Sequence, residues 1–80
     1  MDALSFLQKH GKAMCERVAT EAGTNYAYFS QIAYGHRRPS VDMAEKLVAA
    51  SAELIEIEAE RLDLVALLTT KRRPSEEAAA

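Results

Sequence analysis

The sequence contains no tryptophan, one cysteine, two prolines and three glycines among its 80 residues. Because an internal disulfide needs two cysteines, the lone Cys15 excludes one and is typical of a protein from a reducing cytoplasm. Few helix breakers and abundant alanine, leucine and glutamate favour helices over a sheet. We therefore expect an all-α fold.

Long apolar runs are also absent. No stretch of the sequence approaches the ~20 apolar residues that a membrane-spanning helix needs. The first residues, Met1-Asp2-Ala3, are acidic, and no basic segment followed by an apolar one comes after them, so we expect no signal peptide. We predict no contact with a membrane.

The chain is short for an enzyme. Eighty residues form one domain with a modest core and leave little room for a deep substrate pocket. No nucleophile and base stand in a recognisable catalytic motif. Cys15, His10 and His36 could be interpreted as metal ligands, but their spacing matches no structural zinc pattern. We expect no catalytic residue, no metal site and no cofactor.

The net charge of −2 is unevenly distributed along the chain. Residues 1–40 carry five basic and three acidic side chains, whereas residues 41–80 carry five basic and nine acidic ones. The acidic residues of the second half are concentrated between Glu53 and Asp63. This asymmetry indicates a domain that approaches phosphate with one face only.

Two helices are predicted before the first internal turn. Asp2 can cap a first helix that ends at Gly11, and a second follows over residues 12–22 with apolar side chains four residues apart. Gly23 comes next, at the position where a left-handed cap is expected.

A third helix is predicted over residues 26–34, with Asn25 as its N-cap and Gly35 closing it. Ser40 can cap a fourth. The small Ala19 allows the second and third helices to approach closely, and Gly23 permits the turn between them. These spacings predict a helix-turn-helix.

The third helix separates into two faces at ~100° per residue. Phe29, Ile32 and Ala33 form the side that must enter the core. The opposite side carries uncharged polar groups and one methyl, with two tyrosines at its flanks: Ala27, Ser30, Gln31 and Tyr34, flanked by Tyr26 and Tyr28.

The outward groups are suited to base edges in a DNA groove. Glutamine can pair with adenine through two hydrogen bonds, serine can donate or accept, and alanine can meet a thymine methyl. Tyrosine hydroxyls suit phosphate or water-mediated contacts, although Tyr28 is as well explained by packing. A helical hairpin in a protein-interaction domain is the plainer alternative.

The same region resembles the Cro/repressor class of helix-turn-helix proteins, and most of all the YdaS-like Cro proteins of phages and prophages. The resemblance spans about residues 3–52 and is carried by Val18-Ala19-Thr20-Glu21-Ala22-Gly23 and by Tyr28-Phe29-Ser30-Gln31-Ile32-Ala33-Tyr34-Gly35-His36-Arg37-Arg38-Pro39-Ser40. It implies a compact, lambda-repressor-like domain of four or five helices whose third helix enters the major groove, and dimers on paired half-sites.

The resemblance also implies roles for individual residues. Asn25, Tyr26, Ala27, Ser30 and Gln31 would lie at the base-reading end, and Arg37 and Arg38 along the phosphates. Apart from the resemblance, we also expect Tyr28, Tyr34 and His36 to be among the DNA-binding residues. A glutamine that contacts the DNA backbone in many such motifs is replaced here by Cys15.

The expected function is a cytoplasmic, nucleoid-associated bacterial repressor that binds a pseudo-palindromic double-stranded operator without a cofactor. The alternative is an antitoxin that binds a toxin partner.

The sequence beyond Ser51 is harder to interpret. The alternation of residues 55–58 is a strand signal, and Asp63 could cap a short last helix through Thr70. We expect a break between Leu54 and Asp63, with a short β or extended segment near residues 55–65.

We divide the chain into a DNA-binding head (residues 1–52), an acidic and apolar segment (53–70) and a disordered tail (71–80). A small head cannot easily cover all the apolar side chains of the second part. We therefore predict a homodimer whose interface includes residues 54–68, through Leu54, Ile55, Ile57, Leu62, Leu64, Val65 and Leu68, with Leu67 as a further apolar residue of the segment.

Overall fold

A computed structural model describes residues 1–69. This part of the chain contains four α-helices and one 3-10 turn, and no strand lies within it. The helices are α1 (Ala3–Glu21), α2 (Tyr26–Ala33), α3 (Val41–Leu54) and α4 (Leu64–Thr69), with the 3-10 turn at Glu58–Glu60. The all-α prediction is confirmed. The predicted tail of residues 71–80 lies outside the described residues.

Helix α1 contains both of the helices predicted before the turn. Asp2 caps it, because its carboxylate accepts a hydrogen bond from the backbone N–H of Ser5 at 2.7 Å. The helix is interrupted at Gly11, whose φ of 85° and ψ of 171° are strongly disfavoured for any residue with a side chain. The predicted end of a helix at Gly11 is therefore seen as a break between two arms of α1.

The turn from α1 to α2 is closed by bonds between near neighbours. The Gly23 N–H bonds the Thr20 carbonyl at 3.0 Å, and the Thr24 N–H bonds the Ala19 carbonyl at 2.9 Å. Gly23 has a φ of +86°, as expected for a left-handed cap. Asn25 then caps α2 by accepting a hydrogen bond from the Tyr28 N–H at 2.9 Å.

Helix α2 ends one residue before the predicted boundary, with Tyr34 as its C-cap. Helix α3 begins where expected, since the Ser40 hydroxyl accepts a hydrogen bond from the Met43 N–H at 3.1 Å. It ends at Leu54, and Ile55 is extended with φ −118° and ψ 118°.

All four helices contribute to one core. Its largest fully buried side chains come from α1, α2, α3 and α4 in turn: Phe6 and Val18, Phe29 and Ile32, Leu47, and Leu67. The rings of Phe6 and Phe29 lie 6.1 Å apart and tilted, a favourable arrangement for two aromatic side chains. This core fixes the orientation of α2 relative to the rest of the molecule.

The segment after α3 is broken as predicted. It runs through the 3-10 turn to α4, whose first turn is capped by Asp63 through a 3.0 Å hydrogen bond from the Ala66 N–H. The alternation at residues 55–58 makes no strand, because no neighbouring strand within residues 1–69 supplies a hydrogen-bonding ladder. It instead buries Ile55 and leaves Ile57 exposed.

The predicted dimer interface needs a correction at two positions. Ile55 and Leu62 lie in the core of their own chain, with exposures of 9% and 3%, so neither is at the surface for a second subunit. Leu54, Leu64 and Leu68 are partly buried against the same core. Ile57 and Val65 are exposed.

The head and the following segment also share one packed unit. The predicted boundary after residue 52 falls inside α3. Beyond it, the Leu62 N–H bonds the buried Ser51 hydroxyl at 3.1 Å, and the Asp63 N–H bonds the Met1 carbonyl at 3.0 Å. The chain folds back onto itself because the apolar side chains of this segment complete the core that the first three helices leave open.

Candidate nucleic-acid interface

Helix α2 faces the core with the side that the sequence predicts. Phe29, Ile32 and Ala33 are 0%, 1% and 4% exposed. Since residues three and four apart share a helix face, burial of this set turns the opposite set toward solvent. Ala27 and Gln31 are exposed there, and Ser30 is half-buried beside them.

The outward side of α2 carries no charged side chain. It presents the Gln31 amide, the Ser30 hydroxyl and the Ala27 methyl group to the surroundings. We call Ala27, Ser30 and Gln31 the reading face. An amide that both donates and accepts, a hydroxyl and a methyl are groups that can distinguish base pairs.

Asn25 lies at the start of the reading face, but its side-chain oxygen is used by the helix. That oxygen accepts the hydrogen bond from the Tyr28 N–H that caps α2. Only the amide NH₂ group of Asn25 is then left to donate to another molecule. Asn25 therefore lies at the predicted base-reading end and at the same time caps α2.

Two tyrosines flank the reading face, and each carries a cation over its ring. Lys12 Nζ lies 5.2 Å from the centre of the Tyr26 ring, and Arg37 Cζ lies 5.3 Å from the centre of the Tyr28 ring. Both rings are half-buried and pack against the core. Tyr34 is 40% exposed at the C-terminal end of the helix.

The basic loop after α2 is tied to the helix by its backbone. The Gln31 carbonyl accepts hydrogen bonds from the N–H groups of His36 at 2.8 Å and Arg37 at 3.2 Å. Because these bonds fix the loop, His36, Arg37 and Arg38 stay at the end of α2, and all three side chains are exposed. The structure thus brings together all of the residues predicted to contact DNA on α2 and its flanks.

Lys12 is absent from the predicted interface. Its distance from Tyr26 depends on how α1 crosses α2, which the spacing of residues along the chain does not encode. The only signal in the sequence is a basic residue directly after the Gly11 break. The structure adds this lysine to the cations around the reading face.

Cys15 is fully buried, and burial raises the pKa of its thiol from 9.0 to about 11. A protonated thiol without solvent access is neither a nucleophile nor a metal ligand at neutral pH. His10 is held elsewhere, donating to the Glu60 carbonyl at 2.9 Å. Within residues 1–69, no three histidine, cysteine or acidic side chains are grouped so that they could hold a metal ion.

In the part of the chain that the structure covers, no helix has the length and apolar character needed to cross a bilayer. Comparison of the chain with models of known protein families, with curated proteins and with solved structures found no match.

Proposed function

We propose that this protein binds double-stranded DNA in a sequence-specific manner, with α2 in the major groove. One observation carries the proposal: α2 is fixed to the core on one side and presents an uncharged polar face with exposed basic groups around it on the other. Amides, hydroxyls and methyl groups at base edges distinguish one base pair from another, whereas contacts to phosphate carry no sequence information directly.

Gln31 is the central base-reading residue of this proposal. Its exposed amide can donate to and accept from the major-groove edge of adenine at the same time. Ala27, one turn earlier on the same face, is suited to a thymine methyl group. Arg37 and Arg38 would supply the phosphate contacts that set register along the duplex.

The biological role that follows is a Cro-like repressor. A dimer would occupy a pseudo-palindromic operator and block polymerase or a competing regulator by steric exclusion. Dimerisation doubles the contact, because one helix reads only a half-site. Ile57 and Val65, at 59% and 65% exposure, are apolar side chains that a second subunit could cover. Sedimentation of the free protein tests this assembly, and a monomer at high micromolar concentration that binds a full operator in one uncooperative step would overturn it.

Selection of bound sequences from random duplex DNA tests the DNA-binding proposal directly. We expect enrichment of one motif, and an affinity for it that falls as salt concentration rises. Gln31→Ala should weaken binding to the selected duplex by about 1–3 kcal/mol and relax the preference at one base pair.

Gln8→Ala is the matched control, since Gln8 is also exposed but lies on α1. It should leave both affinity and specificity unchanged. An equal loss of affinity for all sequences in Gln31→Ala would show that Gln31 does not read bases. Absence of any salt-dependent duplex affinity in the wild-type protein would overturn DNA binding altogether.

A protein-interaction module, such as an antitoxin that also regulates its own promoter, is the second candidate. The exposure of Ile57 and Val65 favours it as well, because a toxin could cover these side chains in place of a second copy. A toxin-like reading frame beside the gene would supply the partner for a direct binding measurement. A divergent repressor gene in that place would instead favour the Cro-like role.

A further inference from the structure

We propose that Lys12 and Arg37 are phosphate clamps on two sides of the reading face, each positioned by a tyrosine ring. Tyr26 and Tyr28 are then positioning residues, and Lys12 is a DNA contact that the sequence does not predict. This inference rests on the proposed DNA binding and deepens it, since it says which side chains hold the sugar-phosphate backbone.

The first clamp is built from both helices of the turn. Lys12 follows the Gly11 break and opens the second arm of α1, and Tyr26 is the first residue of α2. Their contact of 5.2 Å lies within the ~6 Å range of a cation–π interaction. The ammonium group is thereby held beside the N-terminal end of α2, where backbone N–H groups also favour a phosphate.

The second clamp connects the basic loop to the first turn of α2. The backbone bond from the Arg37 N–H to the Gln31 carbonyl fixes where this residue leaves the helix. From there its guanidinium reaches the Tyr28 ring at 5.3 Å. Arg37 therefore lies alongside the helix instead of extending freely into solvent.

Some of the other cations of the chain are already paired with carboxylates. Lys9 forms an ion pair with Glu60 at 3.2 Å, and Lys46 forms one with Asp42 at 3.4 Å. Lys12 and Arg37, in contrast, form no ion pair with another residue among 1–69. A tyrosine ring holds a cation without cancelling its charge or occupying all of its N–H donors, so both groups remain able to bind a polyanion.

The tyrosine rings can position Lys12 and Arg37 because the core restricts the movement of the rings. Both are half-buried against the core, which restricts the movement of the cations stacked on them. Holding a long side chain before binding reduces the conformational entropy that it loses on contact with phosphate. The aromatic ring, and not the phenolic hydroxyl, is therefore the part of each tyrosine that matters.

The test is the dependence of duplex affinity on salt, measured on the selected sequence and on a scrambled duplex. Lys12→Ala and Arg37→Ala should each lower the slope of log K against log salt by about 0.9, the contribution of one phosphate contact. Both variants should weaken the two duplexes by the same factor. Lys9→Ala, which removes the same charge from a paired lysine, should leave the slope unchanged.

The tyrosine variants separate the ring from the hydroxyl. Tyr26→Phe and Tyr28→Phe should bind as the wild type does, because the ring remains. Tyr26→Leu and Tyr28→Leu should weaken both duplexes about two- to five-fold, which corresponds to one exposed cation–π contact. Melting curves of each variant, recorded before binding, ensure that only folded protein is compared.

The outcomes are distinguishable from failure of the proposed function. Unchanged salt slopes in Lys12→Ala and Arg37→Ala, with sequence-selective wild-type binding retained, would overturn the clamps alone. If the phenylalanine variants bound the duplexes as weakly as the leucine variants, the tyrosine hydroxyls and not the rings would be responsible, and the positioning by the rings would be overturned. A wild-type protein without salt-dependent duplex affinity would overturn both proposals.

Discussion

The two connections that precede α2 and α4 are held in different ways. The turn before α2 spans four residues and is closed by Ala19, Thr20 and Asn25, all within a few positions of their partners. The connection before α4 spans nine residues. It has local bonds too, such as that from Arg61 Nε to the Ile55 carbonyl at 2.6 Å. Unlike the turn before α2, however, it is also bonded to the Met1 carbonyl and the His10 ring, more than 45 positions away.

This difference separates what can be recognised in a sequence from what cannot. Capping residues and glycines act on their own neighbours, so the turn before α2 has a recognisable pattern. The connection before α4 depends on which surface the rest of the fold leaves uncovered. Both connections nevertheless end in the same core, through Phe29 and Leu67.

The largest effect is expected where the local turn meets the core. Phe29→Ala should destabilise the domain by about 3–5 kcal/mol, a large share of the stability of so small a fold, because a fully buried ring is removed. Thermal melts measure it. Gln31→Ala, on the exposed side of the same helix, should stay within about 0.5 kcal/mol of the wild type. A negligible loss at Phe29 would mean that α2 faces the other way.

A substitution in the core of α4, matching Phe29→Ala in α2, tests whether the segment after α3 unfolds together with the rest of the domain. Leu67 is fully buried, so Leu67→Ala should cost about 2–5 kcal/mol and keep a single unfolding transition. Val65→Ala is the control on the same helix, with a small expected effect because Val65 is 65% exposed. An early, separate transition for α4, with the main melt unmoved, would contradict this single unit.

Within residues 1–69, Ser51 is the one buried polar residue of the core, and its hydroxyl joins the two regions. It donates to the Val48 carbonyl at 2.8 Å and accepts from the Leu62 N–H at 3.1 Å. Ser51→Ala should cost about 1–3 kcal/mol in denaturant titrations, since it leaves a buried N–H without a partner. Ser5→Ala, at an exposed helix position, should change the free energy of unfolding little. Equal effects of the two substitutions would show that the buried hydroxyl does not stabilise the fold.

At neutral pH the smallest effect is expected at Cys15, because the ionisation of its thiol changes the stability of the fold only at alkaline pH. Because burial raises the pKa of the thiol from 9.0 to about 11, its protonated form stabilises the fold fully below pH 9. That contribution is lost as pH rises toward 11. Unfolding titrations between pH 8 and 11 should show a shallower loss in Cys15→Ala than in the wild type, whereas parallel curves would contradict burial of the thiol.

Much of the fold is predictable from particular residues. Asp2, Asn25 and Ser40 each cap the helix that the pattern assigns to them. Gly11 interrupts a helix where the pattern ends one, and α2 stops one residue early at its cap. The inner and outer sides of α2 are also as predicted, because a helix with one apolar stripe has only one way to bury it.

The site is less predictable at its edges. Gln31 and the basic loop can be identified from the sequence, since both belong to α2 and the residues directly after it. Lys12 cannot, because its contact with Tyr26 requires the crossing of two helices. The same limit applies to Ile55 and Leu62, whose apolar character predicts burial but does not say whether their own chain or a partner covers them.

By itself, then, the sequence determined the elements whose causes are local: the caps, the glycine breaks, the turn before α2 and the face of α2 that enters the core. Only the tertiary structure decided which distant groups meet, namely α4 with the core, Lys12 with Tyr26 and Arg37 with Tyr28. The reason is the range of the interactions. Backbone hydrogen bonds and dihedral preferences act within a few residues, whereas the burial of apolar surface has no direction and is satisfied by whichever surface the fold brings near.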